Sequence, residues 1–290
     1  MDASARSADL RRRLATGESV LMPGVWDALS ARLVAAAGFS TAFVSGFAVS
    51  GTLLGKPDVG HVGQTEMADV ARRASTAAPE LNLVVDADTG YGNAMNVVRT
   101  VELWERSGAA GIFIEDQVWP KRCGHMAGKS VVPAEEWIAK LRAACSRRTH
   151  VHVTARTDAR AALGLSEAIE RGRMARDLGV DAVFVEAPES LDELEAIASA
   201  LPDVVLVANM VEKGRTPLLT PAELAERGFR LIVSPLSLLL SAARAMRDAA
   251  STLSEVGTMR DRLGDLMAFD DFNAVVGLPE HLRAEAEFGT

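Results

Sequence analysis

Short apolar, β-branched runs recur along this chain, with longer stretches of helical pattern between them. Eight runs stand out, near Val20 to Gly24, Thr41 to Ser45, Leu83 to Asp88, Gly111 to Glu115, Val151 to Arg156, Ala182 to Glu186, Val204 to Asn209 and Leu231 to Ser234. Helical patterns fill Ala28 to Ala37, Val97 to Ser107, Ala134 to Ala144, Ser166 to Leu178 and Leu191 to Ala200, and Thr220-Pro221 reads as an N-cap with proline at the first helical position. Gly38, Gly108, Gly179 and Gly228 each end a helical stretch just before a strand, where a left-handed cap turns the chain back to a sheet. This alternation predicts repeated βα units and, at eight strands, an α/β fold of (β/α)8 barrel type spanning 1–290 as one domain. A doubly wound sheet is the runner-up, but no Gly-x-Gly-x-x-Gly follows the first strand to support nucleotide binding. After Ser237 the pattern is helical, Leu239 to Ala249 and Met259 to Met267, then a polar tail. That is more than one closing helix needs, so residues 238–290 are predicted to form an additional C-terminal helical arm.

A barrel of this type carries its chemistry at the C-terminal ends of its strands. Here those ends read Ser45, Asp86 with Asp88, Glu115, Arg156, Glu186 and Asn209. The spacing of Asp86 and Asp88 puts both carboxylates on one face of a strand. Two hard oxygen ligands suit Mg²⁺, which keeps waters and leaves room for substrate oxygens. Glu115 and Asp116 close the next strand and are placed to hold those waters. The run Lys121-Arg122-Cys123-Gly124-His125 sets a thiol among cations in a loop without hydrophobic period, so its pKa is open to depression. Cys145, on a helix, reads as a buried small hydrophobe. Trp26, Trp104 and Trp137 read as packing residues and Trp119 as an anchor of the Cys123 loop. His150 and His152 alternate on the fifth strand without a third ligand and read as surface positions at a strand start. Gly90 and Gly92 fit a close approach of backbone to metal or substrate.

Composition narrows the classes. Of 290 residues, 48% are hydrophobic and 24% charged, an ordinary globular balance. The net charge of −8 with no basic block argues against a nucleic-acid partner. No apolar run is long enough to span a bilayer, and Met1 to Thr16 is charged and lacks an apolar signal core. Two cysteines outside any Cys-x-x-Cys pair fit a reducing compartment, so the cytoplasm is expected.

Several motifs occur in order: Trp26 to Ser30, Ser45-Gly46, Gly55 to Asp58, Asp86 to Gly92, Glu115-Asp116-Gln117, Lys121 to His125, Ala155 to Ala159, Glu186-Ala187, Asn209 to Glu212, Thr216-Pro217 and Pro235-Leu236-Ser237. Together they resemble the isocitrate lyase and phosphoenolpyruvate mutase superfamily, and within it the short-chain lyases of the 2-methylisocitrate lyase, dimethylmalate lyase and petal death protein type. The resemblance implies a homotetramer that exchanges its last helix between neighbours. It implies Mg²⁺, with Mn²⁺ as a substitute, held by Asp86, Asp88 and Glu115. Catalytic roles carry over to Cys123, His125, Arg122, Lys121, Arg156 and Glu186, and substrate binding to Ser45, Gly46, Phe47, Asp58, Gly124, Asn209, Thr216 and Pro235. The implied reaction is retro-Claisen cleavage of a 2-hydroxy dicarboxylate or tricarboxylate, a 2-alkylmalate or 2-methylisocitrate, to a 2-oxo acid and a carboxylate. Three departures sharpen this. Phe43 stands where methylisocitrate lyases tend to carry Tyr, and Phe47 removes room for a third carboxylate, which favours a dicarboxylate. Pro235 stands where oxaloacetate hydrolases tend to have Ser, which favours the lyase. Oxaloacetate hydrolysis and phosphorus–carbon chemistry of the mutase kind remain the alternatives. A non-catalytic binding barrel would have eroded strand ends, and here they are intact.

Overall fold

A computed structural model describes residues 3–124 and 128–289. Eight parallel strands close in chain order: β1 Val20–Val25, β2 Thr41–Val44, β3 Asn82–Asp86, β4 Gly111–Glu115, β5 His152–Thr157, β6 Ala182–Val185, β7 Val205–Asn209 and β8 Phe229–Ser234. The seam is the β1–β8 ladder, with Val20 opposite Leu231 and Met22 opposite Val233. Helices Ala28–Ala36, Ala94–Arg106, Ala134–Arg147, Leu165–Leu178 and Leu191–Ala200 lie where the apolar period put them, and Gln64–Ala77 fills the connection before β3. Gly38, Gly108, Gly179 and Gly228 turn back at φ +88°, +87°, +87° and +92°. Thr220 and Glu223 form the reciprocal cap of Pro221–Glu226.

Ladder partners face the same side of a sheet, so the register stacks the barrel interior in levels drawn from alternate strands. Met22, Val84 and Val207 fill the lower level. Above them lie Phe43, Phe113, Phe184 and Val233, with ring centroids 5.0 Å apart for Phe43–Phe113 and 5.7 Å for Phe113–Phe184. Next come Asp86, Arg156 and Asn209, and the rim adds Ser45, Glu186 and Pro235. Gly24 belongs to the level of Asp86 but has no room for a side chain. A Cβ there would stand 2.0 Å from the Pro235 carbonyl oxygen, so β8 can leave the barrel across β1 only over a glycine.

The floor of the barrel is closed by a helix, Ala3–Ala15, that the hydrophobic pattern did not announce. Its Leu10 and Leu14 join the lower level, Ser7 Oγ donates to the Ala110 carbonyl at 2.8 Å, and Arg11 pairs with Asp181 at 2.9 Å. This plug corrects the reading of His152. The residue is buried, at 1% exposure, and burial holds its imidazole pKa down at about 4, with Asp181 opposing. His150 stays partly exposed beside Glu105. Trp104 and Trp137 are fully buried, whereas Cys145 is only half-buried.

The arm also departs from expectation. Helix Ser237–Val256 runs longer than predicted, Met259 to Met267 contains the 3₁₀ turn Arg260–Asp265, broken at Arg262 (φ −131°), and the polar tail is two further helices, Phe269–Val275 and Leu278–Phe288. Asp270 and Asp271 in the first turn favour the former, and Gly277 at φ +88° starts the latter. No side chain of these last two helices is buried, and Phe269 and Phe288 are 79% and 77% exposed.

Two outcomes follow for stability. A folded-state pKa near 4 against 6.5 means that His152 favours the folded protein above pH 6.5, and that this contribution, roughly 3 kcal/mol, is lost as pH falls towards 4. His152→Gln should therefore flatten the decline of unfolding free energy between those pH values in denaturant titrations. Gly24→Ala should cost on the order of 3 kcal/mol, as over-packing against backbone does, and lower the urea midpoint at every pH.

Candidate active site

A pocket opens at the C-terminal end of the barrel. Phe43, Phe113 and Phe184 form its floor, and its walls include Ser45, Phe47, Asp58, Asp86, Lys121, Cys123, Gly124, Arg156, Glu186, Asn209 and Pro235. Most of the residues singled out from the sequence therefore converge, although far apart in the chain.

Asp86 and Asp88 meet by a route other than strand alternation. β3 ends at Asp86, and Asp88 lies beyond it at φ +46°, in a turn where its backbone N–H donates to Asp86 Oδ1 at 3.1 Å. Lys121 is 4% exposed, and its ammonium sits 2.7 Å from Asp58 and 2.9 Å from Asp88. Burial opposes that charge, but Asp88, Asp86 and Asp58 outweigh it and hold the lysine well above its usual pKa. Burial drives the Asp88 carboxyl up to about 6, with Lys121 opposing and Asp86 and Asp58 adding to the rise. Gly46 lets the chain pass this cluster closely, since a Cβ would stand 3.0 Å from Asp86 Oδ2. Ser45 caps the short helix Gly46–Val49 through the Ala48 N–H.

Arg156 is the second buried cation. It lies 2.9 Å from Asp158, 3.1 Å from Glu186 and 3.4 Å from Glu115, with its guanidinium 5.5 Å from the Phe184 ring centre. Lys129 completes the group, donating to Asp158 at 2.6 Å and to the Gly124 carbonyl. Asn209 reaches Glu186 at 3.3 Å. Gln117 donates to Glu115 at 3.2 Å and clamps the backbone of Arg122 through both ends of its amide. Burial pushes the Glu115 carboxyl well up, against the pull of Arg156.

Some expectations need correction. Asp116 does not face the pocket: alternation along the chain turns it outward, where it accepts from Thr157, the Asp158 N–H and Arg171, and so braces the exit of β5. Arg122 is exposed and does not line the pocket, because Gln117 holds its backbone rather than its guanidinium inward. Thr216 is buried but likewise lies outside the lining. Cys123 is half-buried on the wall, its N–H donating to the Asp58 carbonyl at 3.2 Å. His125 lies outside the described residues. The phenylalanine floor was missed, yet it was readable: Phe43, Phe113 and Phe184 stand two residues before the polar ends Ser45, Glu115 and Glu186, and so point the same way. Lys129 gave no signal of its own.

The donor set fits a hard divalent cation. Among the described residues, Asp58, Asp86, Asp88, Glu115, Asp158 and Glu186 are buried together against the cations Lys121, Arg156 and Lys129, and Glu115 Oε1 is buried without a hydrogen-bond partner. Among the described residues no three His, Cys, Asp or Glu side chains form a finished cage. That suits an ion that takes one or two carboxylates and fills its remaining positions with water or substrate oxygens.

The phosphoenolpyruvate phosphomutase family model matches residues 10–254. The chain belongs to the phosphoenolpyruvate mutase/isocitrate lyase superfamily. It is 46% identical to the petal death protein of Dianthus caryophyllus over 98% of this chain and 89% of that one. It is 48% identical to the chloroplastic carboxyvinyl-carboxyphosphonate phosphorylmutase of Arabidopsis thaliana, over 93% and 80% of the two chains. Among solved structures, a 2,3-dimethylmalate lyase of the superfamily superposes with TM-score 0.93 at 36% identity, covering 98% and 95% of the two chains. An oxaloacetate acetylhydrolase in complex with 3,3-difluorooxalacetate gives 0.94 at 35%, covering 99% and 98%. A phosphonopyruvate hydrolase complexed with oxalate and Mg²⁺ gives 0.88 at 27%, covering 98% and 99%. The protein is thus an isocitrate-lyase-like enzyme of this superfamily.

Gly124 tests the packing of the site. A Cβ there would meet Glu186 Oε2 at 2.4 Å and Arg156 Nη2 at 2.7 Å, so Gly124→Ala should wedge that pair apart. Turnover should fall by about 100-fold, as misplacement of about 1 Å does, while the melting temperature in a thermal scan stays within a few degrees.

Proposed function

We propose that the protein is a Mg²⁺-dependent carbon–carbon lyase that cleaves a 2-hydroxy dicarboxylate of the 2-alkylmalate type to a 2-oxo acid and a carboxylate. The observation that carries this reading is the pocket itself: two buried cations and an excess of carboxylates stand over an apolar floor, with a thiol on the wall. Asp86, Asp88 and Glu115 would hold the ion, directly or through water. Once bound, it supplies Lewis-acid polarisation of the substrate oxygens.

The chain's own groups account for the rest. Arg156 and Asn209, steadied by Glu186, bind one carboxylate end, and the backbone at Ser45 and Gly46 receives the other. A base removes the 2-hydroxyl proton, the oxygen's electron pair forms the carbonyl, and the C2–C3 bond breaks with its pair passing to the departing fragment as an enolate. Negative charge grows on that fragment; Lys121 on the pocket wall is the cation assigned to oppose it, with His125 as the further donor that the family resemblance implies. The Cys123 thiol then protonates the enolate carbon. Phe47 on the wall and the Phe43 edge of the floor support a dicarboxylate over a tricarboxylate, because a third carboxylate there would be desolvated against aromatic rings.

Two finer points belong to this reading. The apolar side chains left exposed on the arm, Phe269, Phe272 and Phe288 among them, support a homotetramer in which the arm packs on a neighbour. No helix among the described residues is long and apolar enough to cross a membrane. The proposed place of work is the cytoplasm.

The test is turnover of (R)- and (S)-2-alkylmalates, 2-methylisocitrate, isocitrate, oxaloacetate and phosphonopyruvate with Mg²⁺, followed by NMR. A 2-oxo acid plus a carboxylate from an alkylmalate, reduced about 10²–10⁴-fold in Cys123→Ser, is the expected result. Oxalate plus acetate from oxaloacetate would assign the hydrolase instead, favoured by the likeness to oxaloacetate acetylhydrolase. Phosphorus rearrangement would assign the mutase class, favoured by the likeness to the phosphorylmutase.

A further inference from the structure

The turn that carries Asp88 is unusually contorted. Asp88, Gly90, Tyr91 and Gly92 all have positive φ, at +46°, +82°, +59° and +143°, and two of the four are not glycine. Residues held in such conformations persist only when their surroundings over-determine them. On the pocket side Asp88 is held by Lys121, which also binds Asp58. Behind the barrel wall the same turn is gripped by groups that the proposed chemistry does not use.

Thr100, in the middle of helix Ala94–Arg106, is fully buried. Its hydroxyl lies 3.0 Å from the Gly90 carbonyl and 3.0 Å from the Asn96 carbonyl, and it accepts from Gln64 Nε2 at 2.7 Å. A threonine that merely bonded back to residue i−4 would explain only the Asn96 contact. The Gly90 and Gln64 contacts join three segments. Gln64 opens helix Gln64–Ala77, directly after the loop that bears Asp58. The loops of Asp58 and Asp88, bridged in front by Lys121, are therefore tied together behind by Gln64 and Thr100.

We propose that Gln64 and Thr100 are positioning residues, a relay from the Asp58 loop through the Thr100 hydroxyl to the Gly90 carbonyl that holds Asp88 in its ion-binding pose. The relay deepens the Mg²⁺ reading of the site and rests on it for its ion-binding consequence alone. Groups that orient a metal ligand from behind set affinity by about 10–100-fold, so a relay of this kind is felt first in ion binding and in the order of the turn.

The test uses the full-length protein with Thr100→Val, which keeps the shape and removes the hydroxyl, and Thr100→Ser, which restores it. Mn²⁺ titration followed by EPR of the free ion gives the dissociation constant, and amide hydrogen exchange of the metal-free protein reports residues 87–92. The expected result is Mn²⁺ binding weakened at least about 10-fold and faster exchange across the turn in Thr100→Val, with both returned by Thr100→Ser. A lowered melting temperature with unchanged Mn²⁺ affinity and unchanged exchange would make Thr100 a packing residue and overturn the relay. Wild-type protein that binds no Mn²⁺ would remove the metal reading, and the exchange result would then decide the relay by itself. Should Thr100→Val not fold, Gln64→Leu carries the same comparison from the other end, with faster exchange of the turn expected and unchanged exchange refuting it.

Discussion

Two buried cations, Lys121 and Arg156, hold the mouth of this barrel together. Each is surrounded by carboxylates that would repel one another without it: Asp58 and Asp88 around Lys121, and Glu115, Asp158 and Glu186 around Arg156. Ion pairs taken out of water return their desolvation cost only when geometry and hydrogen bonding are good. The surrounding elements supply that geometry. Lys129 and the outward-turned Asp116 brace Asp158 and its backbone, Gln117 braces Glu115, and Asn209 braces Glu186.

The apolar floor beneath is part of the same arrangement. Phe43, Phe113 and Phe184 exclude water from the underside of the charges, which strengthens every electrostatic contact above them. Burial at this end of the barrel also pushes the Glu115 and Asp88 carboxyls upward. On the proposed Mg²⁺ reading, a site with surplus buried acid would release free energy to a bound cation, so stability and ion binding would be coupled and anything that displaces Asp88 or Glu115 would act on both.

Around this centre the fold divides its labour. The helix Ala3–Ala15 closes the lower end, where His152 is buried, and the charges stand at the opposite end. The C-terminal arm leaves the barrel past Pro235 and presents apolar side chains that the single chain does not cover. The rim residue Pro235 is itself packed over Gly24, which links the departure of the arm to the wall of the pocket.

Local chemistry in the chain already determined much of this. Short β-branched runs, glycine caps and the Thr220-Pro221 signal are short-range features, so the eight strands, most of the helices between them though not Gln64–Ala77, and the polar strand ends were legible from residue order. The pairing of distant charges was not. That Lys121 would bridge Asp58 and Asp88, that Lys129 would reach Asp158, and that Arg122 would turn outward depend on where loops cross in space, which no local period encodes. The phenylalanine floor lay between these cases, since alternation told which way Phe113 and Phe184 point but only closure of the barrel brought them together. Asp88 shows the limit most plainly: its candidacy as an ion ligand came from its neighbour Asp86, while the left-handed turn that carries it is held by tertiary contacts from Lys121, Thr100 and Glu115.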